Sequence, residues 1–293
     1  MANLKEIKGR IGSISSTMQI TQAMKMVSAA KLKRAQDAIT QMRPYAQKLQ
    51  EILANVSGTL DLSENRYAEQ REVKNVLILG ISSNRGLCGG FNSNITKKIN
   101  GLLKEELKEK NVEILTIGKK VNDSYKKGSH IAERPENLGG ADFLLDNLTF
   151  KNAIKYAEYA MDSFLNEKYD RVIVVYNEFK NAAVQIVRDE QLLPILPSEK
   201  EENSNATGDY IFEPSKTEIV RDIIPKTLKL QLFKALLDSI ASEHGARMTA
   251  MHKATDNATD MKKDLTLEYN KARQAAITNE ILEIVGGAEA LNG

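Results

Sequence analysis

Residues 7–32 read IKGRIGSISSTMQITQAMKMVSAAKL, and apolar residues recur in them at alternating steps of four and three. The pattern continues to Val56, and 12 of its 15 positions are apolar. A repeat that averages 3.5 residues is typical of a helix in a left-handed coiled coil. The sequence therefore predicts a long amino-terminal helix with one seam. The seam positions are Ile7, Ile11, Ile14, Met18, Thr21, Lys25, Ser28, Leu32, Ala35, Ile39, Met42, Ala46, Leu49, Leu53 and Val56.

A second seam of the same period lies at the other end of the chain, and 11 of its 15 positions are apolar. No proline occurs among the 60 residues between Pro225 and Gly286, which is enough for a helix of about 90 Å. Because neither helix can bury its seam alone, we expect them to pair as an antiparallel coiled coil. The predicted positions are Phe233, Leu237, Ile240, His244, Arg247, Met251, Ala254, Ala258, Met261, Leu265, Glu268, Ala272, Ala275, Asn279 and Leu282.

A heptad repeat alone also fits a passive scaffold. Both seams, however, are rich in small or flexible residues, and polar residues interrupt them at Thr21, Lys25 and Ser28 and at His244 and Arg247. A dedicated zipper would place aliphatic residues at these positions. We therefore expect something other than the partner helix to contact these stretches.

The middle of the chain has a different period. Short apolar runs bounded by polar or glycine-rich loops predict buried strands, and helical patterns separate them. The predicted strands are 76–81, 112–118, 171–176 and, at an edge, 183–187. The predicted helices are 94–110, 119–127 and 150–169. This alternation predicts a right-handed, mostly parallel, Rossmann-like α/β sheet.

The predicted fold is thus α/β plus long helices, in three segments. Residues 1–58 form the amino-terminal coiled-coil helix, 73–197 the central α/β domain and 212–290 the carboxy-terminal coiled-coil helix. The polar stretch 198–209 predicts a loop or linker. We expect Pro44 to lie in or beside the first helix and to bend it, because proline lacks a backbone donor.

Composition narrows the possible partners. The net charge is +2, so nothing suggests nucleic acid as a partner. Residues 1–58 hold nine Lys or Arg against three Asp or Glu, which fits either a solvated face or contact with acidic loops of a partner. No apolar stretch reaches 18 residues and the start has no apolar signal core, so we expect a cytosolic chain that associates with a membrane only through a complex.

The loop from Asn84 to Asn92 is rich in glycine and lies between a strand and a helix, where Rossmann-type sheets bind phosphates. Its spacing matches neither G-x-G-x-x-G nor a Walker A loop, so its glycines favour a tight turn. Its Cys88 is the one cysteine of the chain and has no histidine near it in sequence, which indicates a packed thiol. The sequence therefore predicts no catalytic residue, no metal site and no cofactor. A nucleotide-binding enzyme that uses this loop is the competing hypothesis.

Four stretches together resemble the γ subunit of F-type ATP synthases, in the same order and at the same ends. They are ITQAMKMVSAAK at residues 20–31, RGLCGG at 85–90, ARM with ATDNA at 246–248 and 254–258, and YNKARQAAITNEI at 269–281. The resemblance covers essentially the whole chain. It favours this family over the two competing hypotheses, a passive coiled-coil scaffold and a nucleotide-binding enzyme.

The resemblance implies a central rotor shaft that catalyses nothing itself. In that family the coiled coil stands inside the hexamer of α and β subunits, while the α/β domain and the foot of the coil contact ε and the c ring. Rotation couples proton flow to ATP synthesis or hydrolysis in the β subunits. We accordingly expect a peripheral subunit at the cytoplasmic face of the bacterial plasma membrane.

The matching stretches also carry over candidate contact residues. Those that the resemblance associates with β contacts or coupling are Met24, Arg247, Arg273, Gln274, Thr278 and Glu280, of which Arg273 and Gln274 would face a β-subunit loop. Tyr210 and Glu213 fall where the family approaches the c ring. The resemblance also implies departures from the family pattern at Gln19, Lys25, His244-Gly245 and His252. At the position of Lys25, many relatives have an acidic residue. We interpret Gly245 as a compliant point, because glycine lowers helix propensity by roughly 1 kcal/mol relative to alanine.

Overall fold

A computed structural model describes residues 4–57, 66–128, 130–195 and 216–292, with side chains for all of these except 50–57, 216–221 and 289–292. The elements are α1 (Leu4–Ser57), β1 (Asn75–Ile81), α2 (Phe91–Lys104), β2 (Asn111–Ile117), α3 (Lys119–Tyr125), a 3-10 turn (Glu136–Leu138), α4 (Phe143–Asp146), α5 (Phe150–Leu165), β3 (Arg171–Phe179), β4 (Gln185–Leu193) and α6 (Lys216–Asn292). None of the described helices is both long and apolar enough to cross a lipid bilayer. The predicted linker 198–209 lies outside the described residues.

The sheet has the strand order β2-β1-β3-β4. β1 pairs in parallel with β2 and β3, while β4 pairs antiparallel to β3 at the edge. Because helices cover both faces, the residues of β1 from Val76 to Ile81 are all buried. The mostly parallel sheet and its edge strand are thus confirmed.

Two apolar clusters flank this sheet. On one face, α5 and the first half of α6 pack against alternate residues of β1, β2 and β3, with Leu228, Leu232 and Leu236 of α6 at the contact. Their spacing of four residues places them on one side of the helix. On the other face, α2 and α3 pack through Ile95, Ile99 and other buried residues. The α/β core therefore includes part of the carboxy-terminal helix.

Several predicted boundaries differ from those in the structure. The edge strand continues to Leu193, beyond the predicted end at 187. The sequence after 187 is polar and so did not look like a strand. Its residues Arg188 and Asp189 are exposed at the sheet edge, where they form ion pairs with Glu178 and Lys98, respectively. The helices predicted to end at 110 and 169 end earlier, at Lys104 and Leu165, and turns follow both. Pro44 lies inside α1, and its predicted bend stays a prediction.

The chain divides into two compact units. One comprises Met1–Ser28 with Met248–Gly293, and the other Ala29–Arg247. Both long helices therefore contribute to both units. The predicted division into 1–58, 73–197 and 212–290 partitions the chain differently and stays a prediction.

In the first unit, α1 and α6 lie antiparallel. The hydroxyls of Thr21 and Thr255 are 2.8 Å apart, and Lys262 Nζ donates to Ser15 Oγ at 3.3 Å. The contact with the lower residue number in α1 has the higher residue number in α6, so the two helices run in opposite directions. The predicted antiparallel coiled coil is therefore confirmed. All predicted seam positions of α1 from Ile7 to Leu49 are buried or half-buried.

The predicted seam of α6 after Ala258 is right at Leu265 and Ala272, which are half-buried, and wrong at the other five positions. Met261, Glu268, Ala275, Asn279 and Leu282 are exposed, and after each of the first three the next residue along the helix is half-buried instead. The half-buried residues are Lys262, Leu265, Tyr269, Ala272 and Ala276. From Ala258 onward the sequence pattern predicted steps of three and then four residues, whereas the half-buried residues follow in steps of four and then three. The difference arises because an α-helix has 3.6 residues per turn and its inward face drifts slowly against a 3.5-residue repeat.

Gly245 lies in the second unit, where α6 approaches the turn between β3 and β4. A Cβ atom at this position would lie 3.3 Å from both Ala182 Cα and Phe179 Cε2. Nearby, Ser242 Oγ donates to the Asn177 carbonyl oxygen at 3.0 Å. The structure thus shows close packing at Gly245, and the compliance that we expected there stays a prediction.

Candidate functional site

The glycine-rich loop after β1 is closed by its own hydrogen bonds. Ser83 donates through its backbone N–H to Asn92 Oδ1 at 3.0 Å and through its hydroxyl to the Arg85 carbonyl oxygen at 2.6 Å. Asn92 donates in turn to Cys88 Sγ at 3.1 Å. Because these polar groups bind one another, the geometry favours a packed turn over a phosphate cradle.

Cys88 lies inside this loop and is 1% exposed. Burial raises the pKa of its thiol, which opposes formation of the nucleophilic thiolate. In the part of the chain that the structure describes, no three His, Cys, Asp or Glu side chains are grouped so as to hold a metal ion. The environment of Cys88 is that of a packed thiol.

Arg247 joins α6 to the loop. Its Nη2 donates to the carbonyl oxygens of Arg85 and Gly86 at 3.1 and 3.2 Å, and its Nη1 donates to Glu243 Oε1 at 2.5 Å. The residue is only 7% exposed. The guanidinium of this predicted contact residue is therefore used inside the chain, where it positions the loop.

The residues around Arg247 form a buried charged group. Burial raises the pKa of Glu243, and the Arg247 guanidinium opposes that shift. Burial, together with the charges of Arg247 and Lys31, lowers the pKa of His244 to about 4. At neutral pH His244 is thus uncharged. Glu243 is the acidic partner of Arg247 in this group.

The outer side of the loop is held in an unusual conformation. Leu87 has a φ of 62° and is 66% exposed. A leucine in the left-handed region costs on the order of 1 kcal/mol and persists only where its surroundings enforce it. Arg85 beside it is also exposed. The loop therefore presents an apolar and a cationic side chain from a fixed backbone.

The remaining described candidates of α6 lie together near its carboxyl end. Arg273, Gln274, Thr278 and Glu280 are all exposed, and the Thr278 hydroxyl donates to the Gln274 carbonyl oxygen at 2.9 Å. Met24 lies in the same unit and is half-buried on α1. Tyr210 and Glu213 lie outside the described residues.

The last described turns of α6 carry a feature that we did not predict from the sequence. Every residue from 277 to 288 is exposed, although the stretch is rich in large aliphatic side chains. The exposed fractions are 47% for Ile277, 54% for Ile281, 63% for Leu282, 71% for Ile284 and 55% for Val285. The run ILEIV, which covers more than one helix face, was the signal available.

Comparison with known proteins decides the family. A family model described as ATP synthase matches residues 3–291. The ATP synthase gamma chain of Christiangramia forsetii is 62% identical and that of Flavobacterium johnsoniae 59% identical, each over the full length of both chains. The chain belongs to the ATP synthase gamma chain family. A gamma chain is a central-stalk subunit of an F-type ATP synthase, a membrane-associated ATPase complex.

Solved structures share the gamma chain fold. The rotor of the Euglena gracilis mitochondrial ATP synthase has a chain with a TM-score of 0.62 at 21% identity, covering 94% of this chain and 98% of that one. A chain of the Tetrahymena thermophila central stalk and c ring has a TM-score of 0.58 at 24% identity, covering 80% and 99%. The predicted class of long terminal helices around a small α/β sheet is confirmed.

Two positions at which we expected this gamma chain to differ from its family, Lys25 and His252, contact each other. Lys25 Nζ lies 3.3 Å from His252 Nδ1, and that ring nitrogen lies 3.5 Å from Asp256 Oδ2. Sequence reasoning noted both positions separately but did not pair them, because they are 227 residues apart along the chain. The antiparallel seam brings them together.

Proposed function

We propose that this gamma chain is the rotating shaft that couples the c ring to the catalytic β subunits. Its own residues catalyse nothing. It would change the nucleotide affinity of each β subunit through contacts that differ with its rotational angle, because a conformational equilibrium shifts only by the difference in binding between states. The partners are the α and β subunits, ε and the c ring.

The observation that carries this proposal is the exposed aliphatic end of α6. Contiguous apolar surface on a helix marks a place where another molecule packs. Five large aliphatic side chains between residues 277 and 285 are about half exposed or more. The hexamer of α and β subunits, which the family resemblance implies around this end of the coil, is the occupant that we propose.

The polar candidates supply the directional part of the contact. Arg273 and Gln274 lie one turn before the aliphatic end and are exposed. A guanidinium and an amide form hydrogen bonds whose strength depends strongly on geometry. We infer that they bind a β-subunit loop, with Thr278 and Glu280 beside them.

Met24 and Arg247 serve coupling in different ways. Met24 is half-buried, so part of its side chain is open to a β-subunit contact. Arg247 is buried, and we infer that it acts by holding the Arg85 to Gly86 loop in place for the partner. Tyr210 and Glu213 are proposed contacts to the c ring. The complex would lie at the cytoplasmic face of the bacterial plasma membrane, with this chain as a peripheral subunit.

The test uses the complex assembled with α and β subunits. Arg273→Ala with Gln274→Ala should leave assembly intact and lower ATP hydrolysis and ATP-driven proton pumping by about tenfold. That fall corresponds to the loss of one charge-assisted hydrogen bond of about 1.4 kcal/mol in the transition state.

The matched control removes an exposed ion pair of the same helix, Asp260 with Lys263, whose atoms are 3.4 Å apart. Replacing both by Ala should leave hydrolysis and pumping unchanged. Failure of the tagged wild-type chain to copurify with α and β subunits would sink the proposal. Unaltered turnover and pumping in the Arg273 and Gln274 variant would show that these two residues are ordinary helix surface.

A further inference from the structure

His252 of α6 lies between two groups of opposite charge. Its Nδ1 atom is 3.3 Å from Lys25 Nζ of α1 and 3.5 Å from Asp256 Oδ2, one turn further along α6. The side chains of His252 and Asp256 are more than half exposed, and Lys25 is half-buried. Among the described residues of both helices, these are the charged groups that hydrogen-bond or ion-pair with the ring. One ring nitrogen therefore has two partners within reach.

The contact with Lys25 fixes the protonation state of the ring. A lysine ammonium has three donors and no acceptor, so it bonds only to a ring nitrogen that carries no proton. In this arrangement Nδ1 of His252 accepts the hydrogen bond from Lys25, and the proton of the neutral ring is on Nε2. Lys25 is thus held across the seam by a bond that exists only while His252 is neutral.

Protonation of the ring reverses the preference of Nδ1. The atom becomes an N–H donor, and the imidazolium repels the ammonium of Lys25 while it attracts the carboxylate of Asp256. One proton is taken from solvent, one hydrogen bond breaks and another forms. Histidine is the side chain that ordinarily changes its charge between about pH 5 and pH 8. The exchange therefore falls in the physiological range of pH.

We infer that His252 is a proton-operated switch that exchanges Lys25 for Asp256. The helices stay paired in both states, because the neighbouring hydrogen bond between Thr21 and Thr255, at 2.8 Å, contains no titrating group. What changes is the side chain of Lys25, whose ammonium leaves the seam when the ring is protonated.

The effect of the switch on a partner is exerted beside Met24. Lys25 directly follows this half-buried residue, for which we propose a β-subunit contact. Acidification adds one positive charge at the ring of His252 and releases a second from its hydrogen bond. The effect on a partner rests on the proposed function, whereas the exchange itself is a property of the chain alone.

An NMR titration of the isolated full chain, with isotope-labelled histidine and lysine, tests the exchange. The Nζ signal of Lys25 should change with the same midpoint as the ring of His252. Lys25→Met should raise that midpoint by about 0.4 pH unit, because the neutral ring loses its partner and the charged ring loses a repulsion. Asp256→Asn should lower the midpoint by about the same amount, because the charged ring loses its partner.

The matched control is Lys253→Met. It removes the same charge from an exposed residue next to His252 in sequence, and adjacent residues of a helix do not face each other. It should move the midpoint by less than about 0.1 pH unit. If Lys25→Met and Lys253→Met shift the midpoint alike, or if Asp256→Asn leaves it unchanged, the inference is wrong. A Lys25 signal that stays constant while the ring titrates overturns it as well.

Failure of the proposed function gives a different result. In that case the wild-type chain does not copurify with α and β subunits, while the titrations of the isolated chain are unaffected. A chain that assembles with its partners but shows no exchange at His252 contradicts the inference about the switch alone.

Discussion

At the scale of single residues, Asp238 is a buried acidic residue of α6. It is 7% exposed. Burial, together with the charges of Glu178 and Glu190, raises its pKa to about 6 against the opposing charges of Lys234 and Arg43. Its ionised form therefore opposes the packing of α6 on β3 and β4 at neutral pH.

The pH dependence of stability follows from this pKa. The folded chain holds the Asp238 proton more tightly than the unfolded chain, so this group's contribution to the free energy of unfolding falls as pH rises from about 4 to about 6. Asp238→Asn removes that slope. The variant should gain on the order of 2 kcal/mol relative to wild type between about pH 4.5 and pH 7.5, measured by urea denaturation.

His244 provides the internal check. Its lowered pKa gives the opposite slope, because stability from a neutral buried histidine is lost as pH falls through about 6.5 to about 4. The wild type and the Asp238→Asn variant share this dependence on His244, so it cancels when their free energies of unfolding are subtracted. A difference between variant and wild type that is the same at both pH values would contradict the role of Asp238.

Gly245 gives a second prediction at this scale. Ala raises helix propensity by about 1 kcal/mol, but its Cβ would meet Ala182 and Phe179 at 3.3 Å. We expect Gly245→Ala to destabilise the chain by about 1 kcal/mol net, since overpacking a contact costs about 1–3 kcal/mol. Gly101→Ala in α2 is the control, because nothing lies within 4 Å of its Cβ position. That control should raise the urea midpoint, and a rise in both variants would refute the close contact.

At the scale of elements, the seam between α1 and α6 contains few large aliphatic side chains. Thr21, Ser28 and Ala258 are buried in it, and Thr21 and Thr255 share a hydrogen bond across it. Such a seam buries little apolar surface. The difference in free energy between burying the predicted set of residues after Ala258 and burying the observed set is therefore small.

Ala275 and Ala276 test that choice with the same residue type. The sequence pattern placed Ala275 in the seam, while the structure exposes Ala275 and half-buries Ala276. Ala276→Asp should lower the free energy of unfolding by about 1 kcal/mol, because it desolvates a charge, and Ala275→Asp should change it by less than about 0.5 kcal/mol. Thermal denaturation of the isolated full chain measures both. A larger loss of stability in Ala275→Asp than in Ala276→Asp would support the seam position that the sequence predicted.

At the scale of the whole molecule, the last turns of α6 bury little surface against the described residues. Residues 277–288 are exposed throughout, so they add little buried apolar area to the isolated chain. Their aliphatic side chains are available to a partner. Intrinsic stability and assembly thus depend on different lengths of one helix.

Removing residues 277–293 should separate these two properties. The free energy of unfolding of the isolated chain, measured by urea denaturation, should stay within about 0.5 kcal/mol of wild type, since no buried contact of the described residues is lost. The complex that contains the truncated chain should hydrolyse ATP more slowly and release the chain more readily. A large loss of stability in the isolated chain would show that the end of α6 packs on the chain itself.

The sequence alone determined the features that repeat locally. Period 3.5 at both ends predicted the antiparallel helices, and short apolar runs predicted the strands, because backbone geometry ties each periodicity to one element. The family stretches indicated the rotor role before any geometry was known.

Other features were decided only by tertiary packing. The hydrogen bonds from Arg247 to Arg85 and Gly86 join residues more than 160 positions apart, and no local pattern encodes such a pair. The seam phase after Ala258 depends on how two helices drift against each other. The exposed end of α6 depends on how far its partner helix reaches. Each is a property of two segments together, which the pattern of one segment cannot specify.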